Sequence, residues 1–594
     1  KFAIAATALE EFWDTAHPLI FLGEGCKRYS RKHYWSGLRS ETLEFEFYDG
    51  QAPATIAYLK EVYASLLPVL TRTLNTIHNV DFSVRFWQIA IGPWLLYYLH
   101  ITHDKYRKIS CVRQKYPDFT TICLDESCFV IPQNTFDFIG HIKGDAYNLQ
   151  LYSKILVLLG YKFPKKRIET KIKNTAPAPS PFSLKSLKAT LVKGIAALAR
   201  VSRNKNRVFY IDTYFPGLAA VRLALRTGGK FWPLSCGFET PASQRIDDEA
   251  RGVIGKVKFG NDGFENLLMP LIAGELPQSM LETFKSIREE IKTKFVRDPK
   301  ALMSAISWHL NDVFKIYAAQ SAERGTLLLG VQHGGNYGSL KYLLQEDYEA
   351  GILDKYYTWG WQKSGSRANI TPMPATKFCY KQKESDNKKN TDILYITTTW
   401  LRWVIQYPLT MDFWSDYFKQ QELFLSDVSD KVRKNLVIRP HIEDFGWDAL
   451  ARFRDLAPGV RIEGWELPFR ERLLSSRIMV CDHPCYSTTF IEALINDKPA
   501  ILFYNPKFAA NSFNDDAKPY WERLKQAGIL FDNPVNAEKQ IDEIYENAGD
   551  WWNDKERREA VRIFRSRFGL TSTNWAEEWR AEISGIVHLS GKAT

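Results

Sequence analysis

The sequence predicts an α/β protein built from two Rossmann-like domains, each with a parallel sheet packed between helices. Short apolar runs of strand length recur along the chain, and polar turns and helical spacing follow them. The chain has 594 residues, whereas one hydrophobic core rarely grows past about 250–300 residues. The polar run at residues 381–392 directly precedes a new apolar strand. We therefore assign residues 1–385 to a first domain and residues 386–545 to a second.

In the first domain, three apolar runs predict strands that end in polar or glycine-rich turns: residues 19–22, 208–211 and 326–331. The segment 165–186 is basic and then rich in Pro and Ser, which predicts an exposed insertion. Because helical patches lie between the strands, we expect an α/β domain with helical insertions.

The second domain shows the clearest local pattern. Residues 477–480 predict a strand, residues 481–487 a polar turn, and residues 488–495 a helix that leads into another apolar run. Two further strands are predicted at residues 393–396 and 436–438. In an open parallel sheet, ligands bind at the carboxyl ends of the strands. This domain is therefore predicted to bind a nucleotide.

Candidate anion-binding residues cluster at these strand ends. Ser487, Thr488 and Thr489 open a helix, where backbone N–H groups and the helix dipole favour a phosphate or carboxylate. The same residue types are also ordinary helix caps. The neighbouring strand ends add Thr398, Arg439 and His441, and the same turn adds His483; these four residues favour the anion interpretation. The two histidines could equally stabilise their turns.

Candidate catalytic residues lie in the first domain. Asp212 follows a predicted strand and is our first candidate for a general base or nucleophile, with turn capping as the alternative. The motif QHGGNYG places Gln332, His333 and Asn336 among glycines that allow backbone to approach a ligand closely, although a tight turn would look similar. Arg28 and Arg31 could bind a substrate carboxylate or phosphate, or form a solvated face.

The net charge of +11 and a pI near 9 favour an acidic partner. No nucleic-acid-binding motif is recognisable, so an anionic membrane or a phosphorylated lipid fits better. Residues 86–101 are rich in Trp, Tyr and Leu but are too short to span a bilayer. They predict a buried core helix, with an interfacial helix as the alternative. The eight cysteines predict reduced thiols in a cytoplasmic protein.

Residues 546–594 predict helices that pack back onto the first domain, since Trp residues recur along a charged helical pattern. Two α/β domains, a short linker and such a segment are the layout of GT-B glycosyltransferases. In that layout the donor nucleotide binds the C-terminal domain and the acceptor binds the N-terminal one.

Three stretches resemble a bacterial family of transferases of surface-carbohydrate biosynthesis: TALEEFWDTAHPLIFLGEGCKRYSRKHYW, LLLGVQHGGNYGSLKYLLQEDYEAGILDKYYTWGW and DHPCYSTTFIEALINDKPAILFYNP. This resemblance covers nearly the whole chain. An Arg-Pro-His strand end followed by a His-Pro and Ser-Thr-Thr turn is more loosely similar to CMP-sugar-dependent GT-B enzymes, including Kdo transferases and sialyltransferases.

The looser resemblance implies a CMP-activated 3-deoxy-ulosonic acid such as Kdo as the donor, no other cofactor and no catalytic metal. Glu492 resembles the acidic residue of GT-B enzymes that bonds a ribose, although it could simply complement the helix dipole. The expected acceptor is a glycan or a lipid-linked glycan of lipopolysaccharide O-antigen or capsule. The expected place of action is the cytoplasm, at the inner face of the cytoplasmic membrane.

The stereochemical outcome stays open at this stage. If the anomeric configuration is inverted, Asp212 or His333 would serve as the single base. If it is retained, Asp212 would act with Glu239 or Glu323 in a double displacement. The alternative functions are a UDP- or GDP-sugar-dependent transferase, a sugar-nucleotide epimerase, and a non-catalytic glycan- or lipid-binding protein.

Overall fold

The computed structural model describes residues 1–43, 51–168, 206–234, 240–241, 243, 245–261, 263–380, 390–505, 507 and 512–588. Most of the predicted insertion, most of the predicted linker and the candidate Glu239 lie outside these residues.

The first 168 residues form a small parallel sheet and long helices. The strands are β1 (Ala3–Ala5), β2 (Leu19–Phe21) and β3 (Ser40–Thr42), in that order, and a separate pair, β4 (Cys123–Leu124) with β5 (Lys165–Lys166). The helices are α1 (Lys32–Trp35), α2 (Gln51–His78), α3 (Val84–Lys115), α4 (Thr135–Ile142) and α5 (Asp145–Leu158). Residues 86–101 lie within α3 and are almost all buried, as predicted for a core helix. Among the described residues, none of the helices is long and apolar enough to cross a membrane.

A six-stranded parallel sheet follows, in the order β11-β10-β9-β8-β6-β7. Its strands are β6 (Val208–Ile211), β7 (Phe231–Pro233), β8 (Ala301–Ser304), β9 (Leu327–Val331), β10 (Lys355–Thr358) and β11 (Asn369–Pro372). The intervening helices are α6 (Gly217–Arg226), α7 (Asp248–Gly255), α8 (Glu265–Glu275), α9 (Phe284–Lys294), α10 (Ser307–Leu310), α11 (Asp312–Ala322) and α12 (Leu344–Ile352). Chain order reverses between β6 and β8, which creates a switch point there.

The second six-stranded sheet is also parallel, in the order β14-β13-β12-β15-β16-β17. Its strands are β12 (Ile393–Ile396), β13 (Leu436–Arg439), β14 (Arg461–Ile462), β15 (Ile478–Asp482), β16 (Ala500–Phe503) and β17 (Leu530–Phe531). The helices are α13 (Met411–Asp427), α14 (Asp430–Asn435), α15 (Ala449–Leu456), α16 (Phe469–Leu474), α17 (Thr489–Ile495), α18 (Lys518–Gln526) and α19 (Pro534–Ile544). This is the 3-2-1-4-5-6 order of dinucleotide-binding domains, with its switch point between β12 and β15.

Alternation along the strands explains why both faces of this second sheet are buried. Ile393 and Tyr395 of β12 face one apolar cluster, whereas Leu394 and Ile396 face another. The second of these clusters also contains the core of the first half. The two halves therefore pack against each other through a continuous apolar interface.

The last helices are α20 (Ala548–Trp552), α21 (Lys555–Phe568) and α22 (Trp575–His588). Helix α21 packs on the second half, where the ring of Phe564 lies 5.1 Å from that of Trp521. Helix α22 packs on α6 and β6 of the first half, and Trp579 Nε1 donates to the Pro374 carbonyl at 3.0 Å. The predicted return of the C-terminal segment is confirmed, and it takes place between residues 568 and 575.

Candidate functional site

The switch point of the first sheet carries Asp212. This exposed residue directly follows β6, and Ser307 Oγ, beyond the end of β8, donates to its Oδ2 at 2.7 Å. Asp212 has a φ of +46° and Tyr214 a φ of +62°. Left-handed backbone is costly for residues other than glycine and recurs at functional sites. The carboxylate is thus held at the sheet edge with its surface open.

His333 lies at the same edge, after β9. Because only β8 separates β6 from β9, the two strand ends are about 10 Å apart. The ring of Tyr214 bridges this gap, since it stacks near the His333 imidazole with a centroid distance of 6.4 Å and an interplanar angle of 14°. Asp212, Tyr214 and His333 therefore form one surface.

A buried glutamate, Glu349, lies beside the imidazole of His333. Glu349 Oε1 lies 3.7 Å from His333 Nδ1 and 2.7 Å from His309 Nε2. The His333 side chain is 17% exposed, whereas that of Glu349 is fully buried. Burial lowers the pKa of His333 and raises the pKa of Glu349. The imidazole is therefore neutral at neutral pH and able to accept a proton.

The sequence did not reveal Glu349 or His309. Both lie in helices, α12 and α10, rather than at strand ends. One signal was present, because Glu349 interrupts the buried face of α12 between Tyr348 and Ala350. A carboxylate on a buried helix face needs a partner, although the sequence alone does not name that partner.

The QHGGNYG motif forms a loop, and its first residue, Gln332, holds the loop in place through hydrogen bonds. Gln332 Oε1 accepts from Trp359 N and Trp361 Nε1 at 2.8 Å each, and its Nε2 donates to the Gly334 carbonyl at 2.7 Å. The Asn336 carbonyl accepts from the backbone N–H of Ser339 at 3.3 Å. The roles of Gln332 and Asn336 in substrate binding stay predictions.

This loop touches the second half at Gly335. Its N–H donates to Thr488 Oγ1 at 3.0 Å. A Cβ at this position would lie 2.7 Å from Ile491 Cδ1 and 2.9 Å from the Ser487 carbonyl oxygen. Only glycine allows such an approach. The carboxyl edges of the two sheets therefore meet at this contact, and we refer to the region between them as the crevice.

At the switch point of the second sheet, Asp482 lines a pocket but is bonded to neighbouring groups of the protein. Asp482, at the end of β15, accepts hydrogen bonds from Tyr395 Oη at 2.7 Å, Gln421 Nε2 at 2.8 Å and Thr398 N at 3.2 Å. Burial raises its pKa to about 6. His483 follows with a φ of +55°, and burial lowers its pKa to about 3.

A small pocket of about 20 Å³ lies next to His483 and opens to solvent. Phe413 lies against the imidazole with a ring distance of 4.8 Å. The cavity combines aromatic faces with polar ends, and its lining includes Phe413, Asp416, Tyr417, Gln420, Asn505 and Lys507. Aromatic faces of this kind stack on flat heterocycles, and such polar ends hydrogen-bond their edges.

The three predicted phosphate-binding hydroxyls all have partners in the protein. Ser487 Oγ lies 2.6 Å from Thr489 Oγ1 and accepts from Thr489 N. Thr488 instead bonds the first half through Gly335. The turn therefore joins the two halves, and its role in phosphate binding stays a prediction.

Three other predicted donor-site residues also have partners. Arg439 Nη2 donates to the Leu467 carbonyl at 2.7 Å, and its guanidinium lies over Trp465. His441 accepts from the backbone N–H of Glu443 at 3.1 Å. Glu492 lies 3.3 Å from Lys377 of the first half. Their proposed contacts with a donor would require these partners to be shared or exchanged.

Arg28, Arg31 and Glu323 have other surroundings than those predicted for them. Arg28 forms an ion pair with Asp448, which joins the two halves, and Arg31 pairs with Glu10 at 2.8 Å. Glu323 precedes β9, whose five residues place it about 16 Å from the edge that carries His333. Glu323, which was predicted as a partner of Asp212 in a double displacement, thus lies at the opposite edge of the sheet.

Two facing parallel sheets with a helix that returns to the first half define a protein of the GT-B layout. The model of the LIC12162 family transferase matches residues 2–583. The chain belongs to this family of transferases. None of the curated proteins matches the chain.

Several solved structures overlap with parts of the fold. A Listeria monocytogenes protein, provisionally described as a UDP-N-acetylglucosamine 2-epimerase, is 11% identical and has a TM-score of 0.37, with 65% of this chain and 98% of that one covered. A UDP-glucosyltransferase from Polygonum tinctorium is 10% identical with a TM-score of 0.34, and 65% and 99% are covered. WaaG, a glycosyltransferase involved in lipopolysaccharide biosynthesis, is 11% identical with a TM-score of 0.29, and 64% and 100% are covered. At these scores the overlap is loose, and the strand order itself defines the fold.

Proposed function

We propose that this transferase is a glycosyltransferase whose second half holds a nucleotide-activated sugar and whose first half deprotonates the acceptor. One observation carries the proposal. The loop that carries His333, beside Asp212 and Tyr214, contacts the Thr488 turn of the second half through Gly335. We infer from this contact that the groups suited to proton transfer and the pocket proposed for the base belong to one site.

The proposed donor position is the cavity beside His483. Aromatic faces of Phe413 and Tyr417 would stack on the base, while Gln420 and Asn505 would bond its edge. The phosphate would then lie toward the Ser487–Thr489 turn, and the sugar would reach the crevice. Glu492 would contact the ribose after exchange of its Lys377 partner.

The proposed chemistry is attack of an acceptor hydroxyl on the anomeric carbon. The new C–O bond forms as the bond to the donor phosphate breaks, and the nucleotide leaves with the electron pair. His333 would take the hydroxyl proton at Nε2, after exchange of its Tyr337 Oη partner at 3.3 Å, because Nδ1 faces Glu349. Asp212 would orient the acceptor. A retaining reaction would instead use Asp212 as nucleophile and His333 as acid/base, since Glu323 lies at the other edge.

The proposed donor sugar is a CMP-activated 3-deoxy-ulosonic acid such as Kdo, and the proposed product is a bacterial surface polysaccharide. This finer proposal rests on the Arg-Pro-His and His-Pro motifs that resemble CMP-sugar enzymes. A UDP- or GDP-sugar donor is the second candidate, and the same cavity could hold either base. An epimerase would consume a sugar nucleotide without any acceptor.

The test is release of free nucleotide from CMP-Kdo, UDP-N-acetylglucosamine and a GDP-sugar, each with and without a glycan acceptor. The proposal expects release that depends on the acceptor and is lost in His333→Ala. His33→Ala, which changes an exposed histidine, is the matched control. Turnover of a UDP-sugar without an acceptor would indicate the epimerase, and absence of turnover with all donors would contradict the glycosyltransferase.

A further inference from the structure

The outward face of α6 is apolar. Leu218, Val221 and Leu225 are 82%, 38% and 77% exposed, and their spacing places them on one side of the helix. The opposite side, with Ala219 and Leu223, packs on the sheet and is buried. A surface helix normally turns polar residues outward. Single exposed leucines are ordinary, but a continuous stripe indicates a surface that meets another apolar phase.

Basic residues border this stripe. Arg222 and Arg226 follow its leucines along α6, and both are exposed. Glu577 on α22 is the nearest acidic partner recorded for Arg226, at 3.9 Å, and it also bonds Arg580 at 2.9 Å. Arg226 and Arg580 thus share one carboxylate, and with Arg222 the border carries a net positive charge. An apolar strip with a cationic border matches the boundary between anionic headgroups and acyl chains.

The stripe begins at the candidate site. Tyr214, 43% exposed, precedes α6 and stacks near His333. The helix then runs away from the crevice for ten residues, or about 15 Å. A flat surface that contacts Leu218 and Leu225 would therefore lie beside the mouth of the crevice.

We propose that the outward face of α6 docks onto an anionic lipid bilayer. Leu218 and Leu225 enter the headgroup region, and Arg222 and Arg226 bind lipid phosphates. The docked protein presents its crevice at the membrane, where the hydroxyl of a lipid-linked acceptor reaches His333. This last consequence rests on the proposed glycosyl transfer, whereas the docking itself does not.

The test is sedimentation of the protein with vesicles of phosphatidylcholine alone or with about one third phosphatidylglycerol. We expect binding to the anionic vesicles, reduced about tenfold or more in Leu218→Ser/Leu225→Ser. Arg222→Gln/Arg226→Gln is expected to lose most of the preference for anionic lipid, since each basic residue contributes about 1 kcal/mol, or about fivefold. The control Leu450→Ser/Leu467→Ser changes leucines that are 51% and 54% exposed on the second half, and it should bind as the wild type does.

Equal binding by the stripe variant and the wild type would overturn the docking proposal, as would absence of binding by the wild type. A wild-type dimer that dissociates in Leu218→Ser/Leu225→Ser would also overturn it, because a second copy would then cover the stripe. The vesicle assay contains no donor, so it is independent of turnover. Conversely, transfer to a soluble acceptor should be unchanged in the stripe variant, so that failure of docking and failure of glycosyl transfer are distinguishable.

Discussion

Each six-stranded sheet has an aspartate at its switch point, Asp212 in the first half and Asp482 in the second. The two aspartates have different surroundings. Asp212 is exposed, and among the recorded side-chain contacts it accepts a hydrogen bond from Ser307. Asp482 is buried and accepts from Tyr395, Gln421 and Thr398. The same position in a parallel sheet thus gives an available carboxylate in one half and a structural one in the other.

This difference separates the roles of the two halves. At the first edge, Asp212 and the supported imidazole of His333 remain able to meet a substrate. At the second edge, polar groups are occupied by the protein, and the space lies in the aromatic cavity beside His483. Chemistry is therefore expected from the first edge and binding from the second.

The largest effect is expected from substitution of the two candidate catalytic residues, Asp212 and His333. Asp212→Asn and His333→Ala should each lower kcat by about 10²–10⁴-fold, the usual contribution of a general base. The melting temperature of Asp212→Asn should stay near that of the wild type, because the side chain is exposed. Steady-state kinetics and thermal melts check both statements. A normal kcat in both variants would place the chemistry elsewhere.

The matching change in the second half should affect stability instead. Asp482→Ala leaves the buried Tyr395 Oη without its acceptor, whereas Gln421 Nε2 and Thr398 N keep Tyr417 Oη as an acceptor. We expect a loss of about 1–3 kcal/mol in the free energy of unfolding, measured by urea denaturation. Asp515→Asn, which changes an exposed aspartate, is the control. Unchanged stability in Asp482→Ala would mean that this aspartate is not a structural group.

A smaller effect on the rate is expected from substitution of Glu349, which lies beside the His333 imidazole. Glu349 favours the protonated form of His333, so Glu349→Gln should lower the pKa of His333 further. The acid limb of kcat/KM, already below the usual histidine value of 6.5, should then move to lower pH. The maximal rate should fall about 10–100-fold as the ring loses its support. Glu323→Gln, at the opposite edge, should leave the pH profile unchanged.

The smallest effect concerns the contact between the halves. Thr488→Val removes the acceptor of the Gly335 N–H and should cost about 1 kcal/mol of stability. We expect a KM for the donor raised about fivefold with kcat little changed, because the crevice would be held less firmly. Thr76→Val, at an exposed helical threonine, provides the comparison. A loss of kcat as large as that of His333→Ala would mean that Thr488 acts in the chemistry.

Local patterns predicted the strands that form both edges. The apolar runs 208–211 and 393–396 match β6 and β12 residue for residue, because polar residues flank each run sharply. The return of the C-terminal helix also followed from its tryptophans. Strand length and flanking polarity are properties of neighbouring residues, which a single sequence contains.

The partners of the site residues could not be predicted. Arg28 meets Asp448 at a separation of 420 residues, and Gly335 meets Thr488 at 153. Glu349 reaches His333 from a neighbouring helix, and the pattern of α12 does not specify which side chain it meets. Such contacts depend on how the sheets pack together, and for this reason the sequence did not show that several predicted binding residues also contact other parts of the protein.

The most direct test of the division of roles is a thermal-shift titration with CMP, UDP and GDP on three proteins: the wild type, Asp212→Asn, and Gln420→Ala/Asn505→Ala. A nucleotide at about 100 times its Kd stabilises the folded state by about 2.7 kcal/mol. We predict that one nucleotide raises the melting temperature of the wild type and of Asp212→Asn equally, and that the cavity variant loses this shift. A shift that is kept in the cavity variant and lost in Asp212→Asn would contradict the account.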